Sequence, residues 1–290
     1  MRILGFLNDF TAAKRRKNIQ DDEWFELQFK PEEARSKYGI ILPTLPSDDV
    51  QVGFTALCGR VNLQQAFSFY RHVLSICQVN NIKSPRILDF GGGWGRISRF
   101  FLRETKPQFI YIADTMAHAI DCLRATGNPC RVIHNQPRPP IPGLPKELDL
   151  VVAYSVFSHL SEEYFCAWVD YLLKVLRPGG CLAFTTRGEF FINHLEHLHQ
   201  HPQQSHEMLQ EHHRRLREEM PSPEEIRRCY RDGEFQFYPI GGARELTSDF
   251  FGEAFIPRRY LEQKFGAFLV DFNGEVPNVD QSVVVLRKGA

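Results

Sequence analysis

Asp89, Gly91, Gly93 and Gly95 stand in the run Ile87-Leu88-Asp89-Phe90-Gly91-Gly92-Gly93-Trp94-Gly95-Arg96, an acid followed by glycine at every second position. Glycine lets main chain approach a ligand where a Cβ would collide. The apolar residues before it, and Ile97, Phe100 and Phe101 at i, i+3, i+4 after it, predict a buried strand, a tight turn and a helix starting near Trp94. That arrangement cradles a nucleoside, and the free N–H groups of a helix start suit a carboxylate. Asp89 is placed to accept hydrogen bonds through the turn or to reach an ammonium through water. A dinucleotide fingerprint, G-x-G-x-x-G, would need glycine where Arg96 stands. Arg96 and Arg99 are expected to face away along the helix, which leaves no cation for a phosphate-bearing nucleotide.

Asp114 closes the apolar run Phe109-Ile110-Tyr111-Ile112-Ala113. A carboxylate there can accept from both hydroxyls of a ribose, or it can cap the helical stripe of Met116, Ala119, Ile120 and Leu123; the two roles are compatible. Thr115 follows it. Asn135 and Gln136 come after a third short strand, 131–134, where a side-chain amide can read the adenine edge with a donor and an acceptor. Tyr154, Ser155 and His159 follow a fourth strand, 149–154, and His159 is a candidate general base for an acceptor hydroxyl, although histidine at the start of a helix is more often structural. A histidine-rich stretch contains His194, His197 and His201 at i, i+3, i+7, then His199, His206, His212 and His213. With no cysteine among them and Pro202 breaking the helix, the segment reads as a polar lid over an acceptor site rather than a metal centre.

The elements that must position these residues alternate. Strands at 86–90, 109–113, 131–134, 149–154 and 181–186 are separated by helical stripes, the clearest being Phe165, Trp168, Val169, Leu172, Leu173 and Leu176, ended by Pro178-Gly179-Gly180. Residues 268–272 and 282–287 add two more strands. This predicts an α/β fold with a doubly wound, mostly parallel seven-stranded sheet whose ligands lie at the carboxyl ends of the strands. The expected organisation is an N-terminal extension or cap over 1–84, with a helix near 63–79; a core over 85–187; an inserted helical lid over 188–247; and a C-terminal helix and last strand pair over 248–290.

The chain has 290 residues, with 35 basic and 35 acidic side chains, so no general attraction to nucleic acid or anionic lipid is expected. The short basic run Lys14-Arg15-Arg16-Lys17 is followed by Asp21, Asp22 and Glu23 and reads as a solvated surface. Seven scattered cysteines without a C-x-x-C pair fit reduced thiols in a cytoplasmic protein. No stretch has membrane-span length, and Met1–Leu7 is too short and too soon interrupted for a signal peptide.

The D-x-G-x-G-x-G spacing resembles the first motif of the class I S-adenosylmethionine (SAM) dependent methyltransferases. Asn135, Pro139-Pro140, the block Leu148 to Leu160 containing Tyr154-Ser155-Val156-Phe157-Ser158-His159, and Arg177-Pro178-Gly179-Gly180 are similar to a bacterial subgroup reading S-V-F-T-H-L and R-x-L-K-P-G-G; Gln281 to Lys288 resembles its final strand. Trp94, where a small residue is usual, and Thr115, where an apolar one is, depart from the pattern. The resemblance implies a Rossmann-like fold and SAM as cofactor: Asp89, Gly91, Gly93 and Gly95 along its methionine part, Asp114 on the ribose, Thr115, Asn135 and Gln136 near adenine, and Tyr154 and Ser155 beside the methyl. It implies transfer to an oxygen, or a nitrogen, of a small molecule such as a sugar or secondary metabolite, with neither nucleic acid nor membrane as partner. The absence of an N-P-P-Y type motif after the fourth strand agrees with that acceptor class. The alternative is a SAM-binding subunit or regulator without transfer activity, and a nicotinamide-dependent oxidoreductase is disfavoured by Arg96.

Overall fold

The computed structural model describes residues 16–202, 209–240, 242 and 245–289; Met1–Leu7, Lys14, Arg15 and His206 of the sequence reading lie outside them. Among the described residues, α1 (Asp21–Leu27), α2 (Pro31–Tyr38), α3 (Asp48–Thr55) and α4 (Gly59–Cys77) precede the sheet. Leu63, Ala66, Phe67, Tyr70, Val73 and Leu74 form one buried stripe of α4, so the helix expected at 63–79 exists but starts a turn earlier. It packs on the sheet together with Phe100, Phe101 and the apolar residues of α1.

The sheet and its crossovers follow: β1 (Ile87–Phe90), β2 (Ile110–Asp114), α5 (Ala117–Ala125), β3 (Arg131–His134), β4 (Leu148–Ala153), α6 (Glu162–Val175) and β5 (Leu176–Thr186). An insertion carries α7 (Glu189–Gln200), α8 (Gln210–Glu219), α9 (Pro223–Asp232) and a ribbon of β6 (Gln236–Tyr238) with β7 (Glu253–Phe255). Then α10 (Arg258–Phe265), β8 (Leu269–Asn273) and β9 (Ser282–Arg287) complete it. The seven-stranded sheet runs β3-β2-β1-β4-β5-β9-β8. Strands β1 to β5 are parallel, and β9 is antiparallel to both neighbours. β1, β2 and β4 are buried along their whole length, as strands covered on both faces must be. The second face is closed by α6 and α10, with Phe165, Trp168, Leu172 and Leu261 at its centre. Among the described residues no helix is long and apolar enough to cross a membrane.

Three expectations change. The segment after the glycine turn is a 3₁₀ helix, Ser98–Arg103, rather than an α-helix from Trp94, because Gly91, Gly93 and Gly95 all adopt positive φ and hold 91–97 in turns. Arg96 and Arg99 do not face away: they are 5% and 1% exposed, because the N-terminal helices cover this side. Arg99 donates to Gln28 Oε1 at 3.0 Å and to the Pro43 carbonyl at 3.0 Å. The insertion, polar in composition, has its own small core of Phe191, Ile192, Leu195, Leu198, Leu216 and Ile226. Its histidines form no metal-holding group of three among the described residues. Among the described residues of the insertion, those that line the cavity described below are Gly242, Glu245, Leu246 and Phe251, all near its C-terminal end.

Candidate functional site

The carboxyl ends of β1, β2 and β4 open into a cavity of about 620 Å³, within the usual range for small-molecule sites. A smaller hollow of about 110 Å³ adjoins it and shares Gly91, Met116, Ser155 and Phe251. Gly91 borders both, and Gly92, Gly93 and Trp94 border the larger. Gly91 at φ +66° passes so close to the next loop that a Cβ would lie 2.4 Å from Val156 Cγ2. Gly93 faces the cap helix α3, where a Cβ would stand 3.3 Å from the Phe54 ring. Gly95 packs against Asn128 and Leu123 and lines neither cavity.

The four glycine amides of the turn are already engaged. Gly91 and Gly92 donate to the Ala113 carbonyl at 2.8 and 3.3 Å, Gly95 to the Gly92 carbonyl at 2.8 Å, and Gly93 to Asp114 Oδ2 at 2.8 Å. Ser98 N–H donates to Asp89 Oδ2 at 2.9 Å. The anion-binding helix start expected near Trp94 is therefore not formed. Trp94 itself is 2% exposed, lines the large cavity and leaves its indole N–H without a partner. Asp89 also lines that cavity, and burial pushes its carboxyl up to about 7, against the hydrogen bond from Ser98 that favours the charged form.

Asp114 lies in the smaller hollow with Thr115, Met116 and Asn135. Its Oδ1 accepts from Met116 N–H at 2.9 Å, so it braces the turn into α5 while also fastening the glycine turn. Each oxygen has a second lone pair for a ligand hydroxyl. Burial pushes its pKa up, and the amides bonded to it oppose the shift. Asn135 is 1% exposed; Nδ2 donates to the Gln136 carbonyl at 2.8 Å, and Oδ1 has no partner. Gln136 is exposed and lines neither cavity.

The loop after β4 supplies the other wall of the large cavity. Tyr154 donates to Asp280 Oδ1 at 3.2 Å, packs edge-on to Phe69, and has the Arg96 guanidinium 4.5 Å above its ring centroid. Ser155 takes φ +56°, held by N–H donation to Thr185 Oγ1 at 2.7 Å, and its Oγ accepts from Gln281 Nε2 at 2.9 Å. His159 sits in a single 3₁₀ turn, stacked on Phe251 at 5.0 Å. Its Nδ1 lies 2.8 Å from the Gly252 carbonyl, which can only accept, so the proton belongs on Nδ1 and Nε2 keeps a lone pair. That Nε2 is 3.5 Å from Ser155 Oγ. Burial lowers the His159 pKa to about 4, against Glu253, whose carboxylate lies 3.7 Å away. The imidazole is neutral at neutral pH. Glu253, 1% exposed, is ion-paired with Arg187.

Several lining residues carry no signal in the sequence reading: Arg96, Phe54 (stacked on His118 at 4.9 Å), Phe251, Asp280 and Gln281. For Asp280 and Gln281 a signal existed, since they directly precede the last strand and so emerge at the same sheet edge as Tyr154.

Residues 88–182 match the model of the methyltransferase domain family. The matched stretch runs from β1 into β5 and includes Asp89, the glycine turn, Asp114, Asn135 and Tyr154 to His159. No curated protein matches the chain. Among solved structures, DesVI of Streptomyces venezuelae superposes with a TM-score of 0.50 at 13% identity, over 85% of this chain and 99% of that one. A SAM-dependent methyltransferase from Clostridium acetobutylicum gives 0.48 at 11% identity, over 77% and 92%. Burkholderia thailandensis 1,6-didemethyltoxoflavin-N1-methyltransferase gives 0.48 at 14% identity, over 77% and 79%. The chain thus holds a segment similar to the methyltransferase domain within a seven-stranded Rossmann-like fold, and that segment supplies part of the lining of both cavities.

Proposed function

We propose that this chain is a SAM-dependent methyltransferase acting on an oxygen, or alternatively a nitrogen, of a small molecule such as a sugar or secondary metabolite. The observation that carries this reading is the pair of adjoining cavities, one fitted for a nucleoside and one holding a neutral imidazole. In the smaller, Asp114 has lone pairs for two ribose hydroxyls, and the buried, unpartnered Oδ1 of Asn135 suits the exocyclic amine of adenine. Thr115 borders the same space. In the larger, Asp89, Gly91 and Gly93 would run along the methionine part, with Tyr154 and Ser155 beside the methyl. Gly95 acts through packing, and Gln136 through its carbonyl on Asn135.

SAM, when bound, supplies an activated methyl on a sulfonium. The chain's part is to align the acceptor for in-line displacement and to remove its proton. His159 Nε2 takes the acceptor proton while Nδ1–H stays on the Gly252 carbonyl, which fixes the tautomer. A binding-only subunit has no need of a neutral base in the cavity wall. A nicotinamide dinucleotide would need glycine amides for its pyrophosphate, and the glycine amides of this turn are bonded internally.

Incubation with methyl-labelled SAM and mixed small-molecule, protein and nucleic-acid fractions tests the acceptor class. Label is expected in the small-molecule fraction and to fall by about a hundredfold in His159→Asn, as loss of a general base does. Label confined to protein or nucleic acid would contradict the reading.

A further inference from the structure

Arg96 is a buried cation with no ion-pair partner among the described residues, and only the more distant carboxylates Asp280 and Asp89 act on its charge. It is 5% exposed and lines the large cavity between the glycine turn and Tyr154. Its Nη1 donates to two neutral amide oxygens, Asn62 Oδ1 at 2.7 Å and Gln65 Oε1 at 2.6 Å, and its guanidinium lies over the Tyr154 ring. Among the described residues no carboxylate forms an ion pair with it, whereas Arg103, buried on the same segment, pairs with Asp21 and Glu104. Burying a guanidinium with only neutral partners is unfavourable, and arginine does not escape by deprotonating. The side chain is nonetheless held firmly. Gln51 Oε1 accepts from Asn62 Nδ2 at 3.2 Å and from Gly59 N–H at 3.0 Å, which ties the Arg96 partners to the junction of α3 and α4.

We propose that Arg96 binds the carboxylate at the methionine end of the cofactor, a task for which the glycine amides, engaged within the turn, are not free. The proposal rests on the SAM reading above. It assigns the two charges of the amino-acid end to opposite sides of one cavity: the ammonium to Asp89, and the carboxylate to a cation presented by the N-terminal helices. The same α3 whose Gln51 braces Arg96 brings Gly53, Phe54 and Thr55 to the cavity, so cap and cofactor share one hydrogen-bonded network.

Two ligands separate this from a packing role: S-adenosylhomocysteine, which carries the amino-acid end, and 5′-methylthioadenosine, which lacks it. Calorimetric titration of Arg96→Gln is expected to show S-adenosylhomocysteine bound about tenfold or more weakly than by the wild type, with 5′-methylthioadenosine bound within about twofold of it. Arg96→Lys, which keeps the charge, recovers part of the loss. Unchanged affinity for S-adenosylhomocysteine in Arg96→Gln overturns the proposal, and so does an equal weakening for both ligands. Decarboxylated SAM removes the dependence on any variant's folding: the wild type is expected to bind it about tenfold or more weakly than SAM, and equal affinity overturns the proposal. A wild type that binds neither S-adenosylhomocysteine nor 5′-methylthioadenosine overturns the SAM reading itself, a result distinct from the others.

Discussion

A base that accepts a hydroxyl proton near pH 7 has to arrive neutral, and burial gives His159 that state at the cost of some acid stability. Its folded pKa, about 4, lies below the ordinary 6.5, so the unfolded chain binds this proton more readily. The contribution is therefore fully present above pH 6.5 and is lost as pH falls toward 4. Asp89 has the opposite sign: its carboxyl, raised to about 7 from 3.8, contributes less as pH rises across that window. Comparison with His159→Asn isolates the histidine. The thermal midpoint of the wild type is expected to drop more steeply between pH 6.5 and 4.5 than that of the variant, by the equivalent of about 1–3 kcal/mol. Parallel curves would show that the imidazole is not buried as described. At this scale the sequence was informative wherever a residue sat at a strand end. Asp89, Asp114, Asn135 and His159 were legible because parallel strands deliver their next residues to one edge. Gln136, one residue past Asn135, points to solvent, a difference that a loop's backbone decides and composition does not.

At the scale of elements, apolar runs and the 3.6-residue stripe identified the sheet strands, α4 and α6, because each buries a continuous face. The ribbon of β6 and β7 escaped notice, since three-residue strands leave no period to read. The 3₁₀ segment after the turn looked like an α-helix because Ile97, Phe100 and Phe101 are buried in either geometry. Helix α3 is the element whose role is least visible in sequence and most testable in solution. Phe54 joins it to His118 at 4.9 Å and to Gly93 across the cavity mouth. Phe54→Ala is expected to cost about 1 kcal/mol of stability, because the ring is only partly buried, and to speed cofactor release about fivefold or more. Stopped-flow release of S-adenosylhomocysteine measures it; an unchanged rate would mean that α3 is a wall and not a cap.

For the molecule as a whole, residues distant in sequence converge on one cavity: Gly53 to Thr55 from the cap, Gly91 to Trp94 and Arg96 from the turn, Tyr154, Ser155 and His159 after β4, Leu246 and Phe251 from the end of the insertion, and Asp280 and Gln281 before β9. The sheet's order brings β1, β2 and β4 together, and that part of the architecture follows from alternating strands and helices with right-handed crossovers. The covering pieces do not follow so directly. Arg96 and Arg99 looked like surface cations only because nothing in a local pattern announces that N-terminal helices will lie over them. The insertion reads in sequence as a polar lid, yet its helices share an apolar core of their own, and among its described residues those that reach the cavity lie near its end. Asp114, Asn135 and His159 thus belong to the matched stretch, whereas Phe54, Leu246, Asp280 and Gln281 of the larger cavity's wall lie outside it.

SAM binding through Asp114 is the step on which the proposed function depends. Calorimetric titration with SAM, S-adenosylhomocysteine and NAD, on the wild type and on Asp114→Ala, tests it most directly. The account predicts that SAM and S-adenosylhomocysteine bind, that NAD does not, and that Asp114→Ala weakens both adenosyl ligands about tenfold or more through the lost ribose bonds. Binding of NAD in preference to SAM, or unchanged SAM affinity in Asp114→Ala, would contradict it.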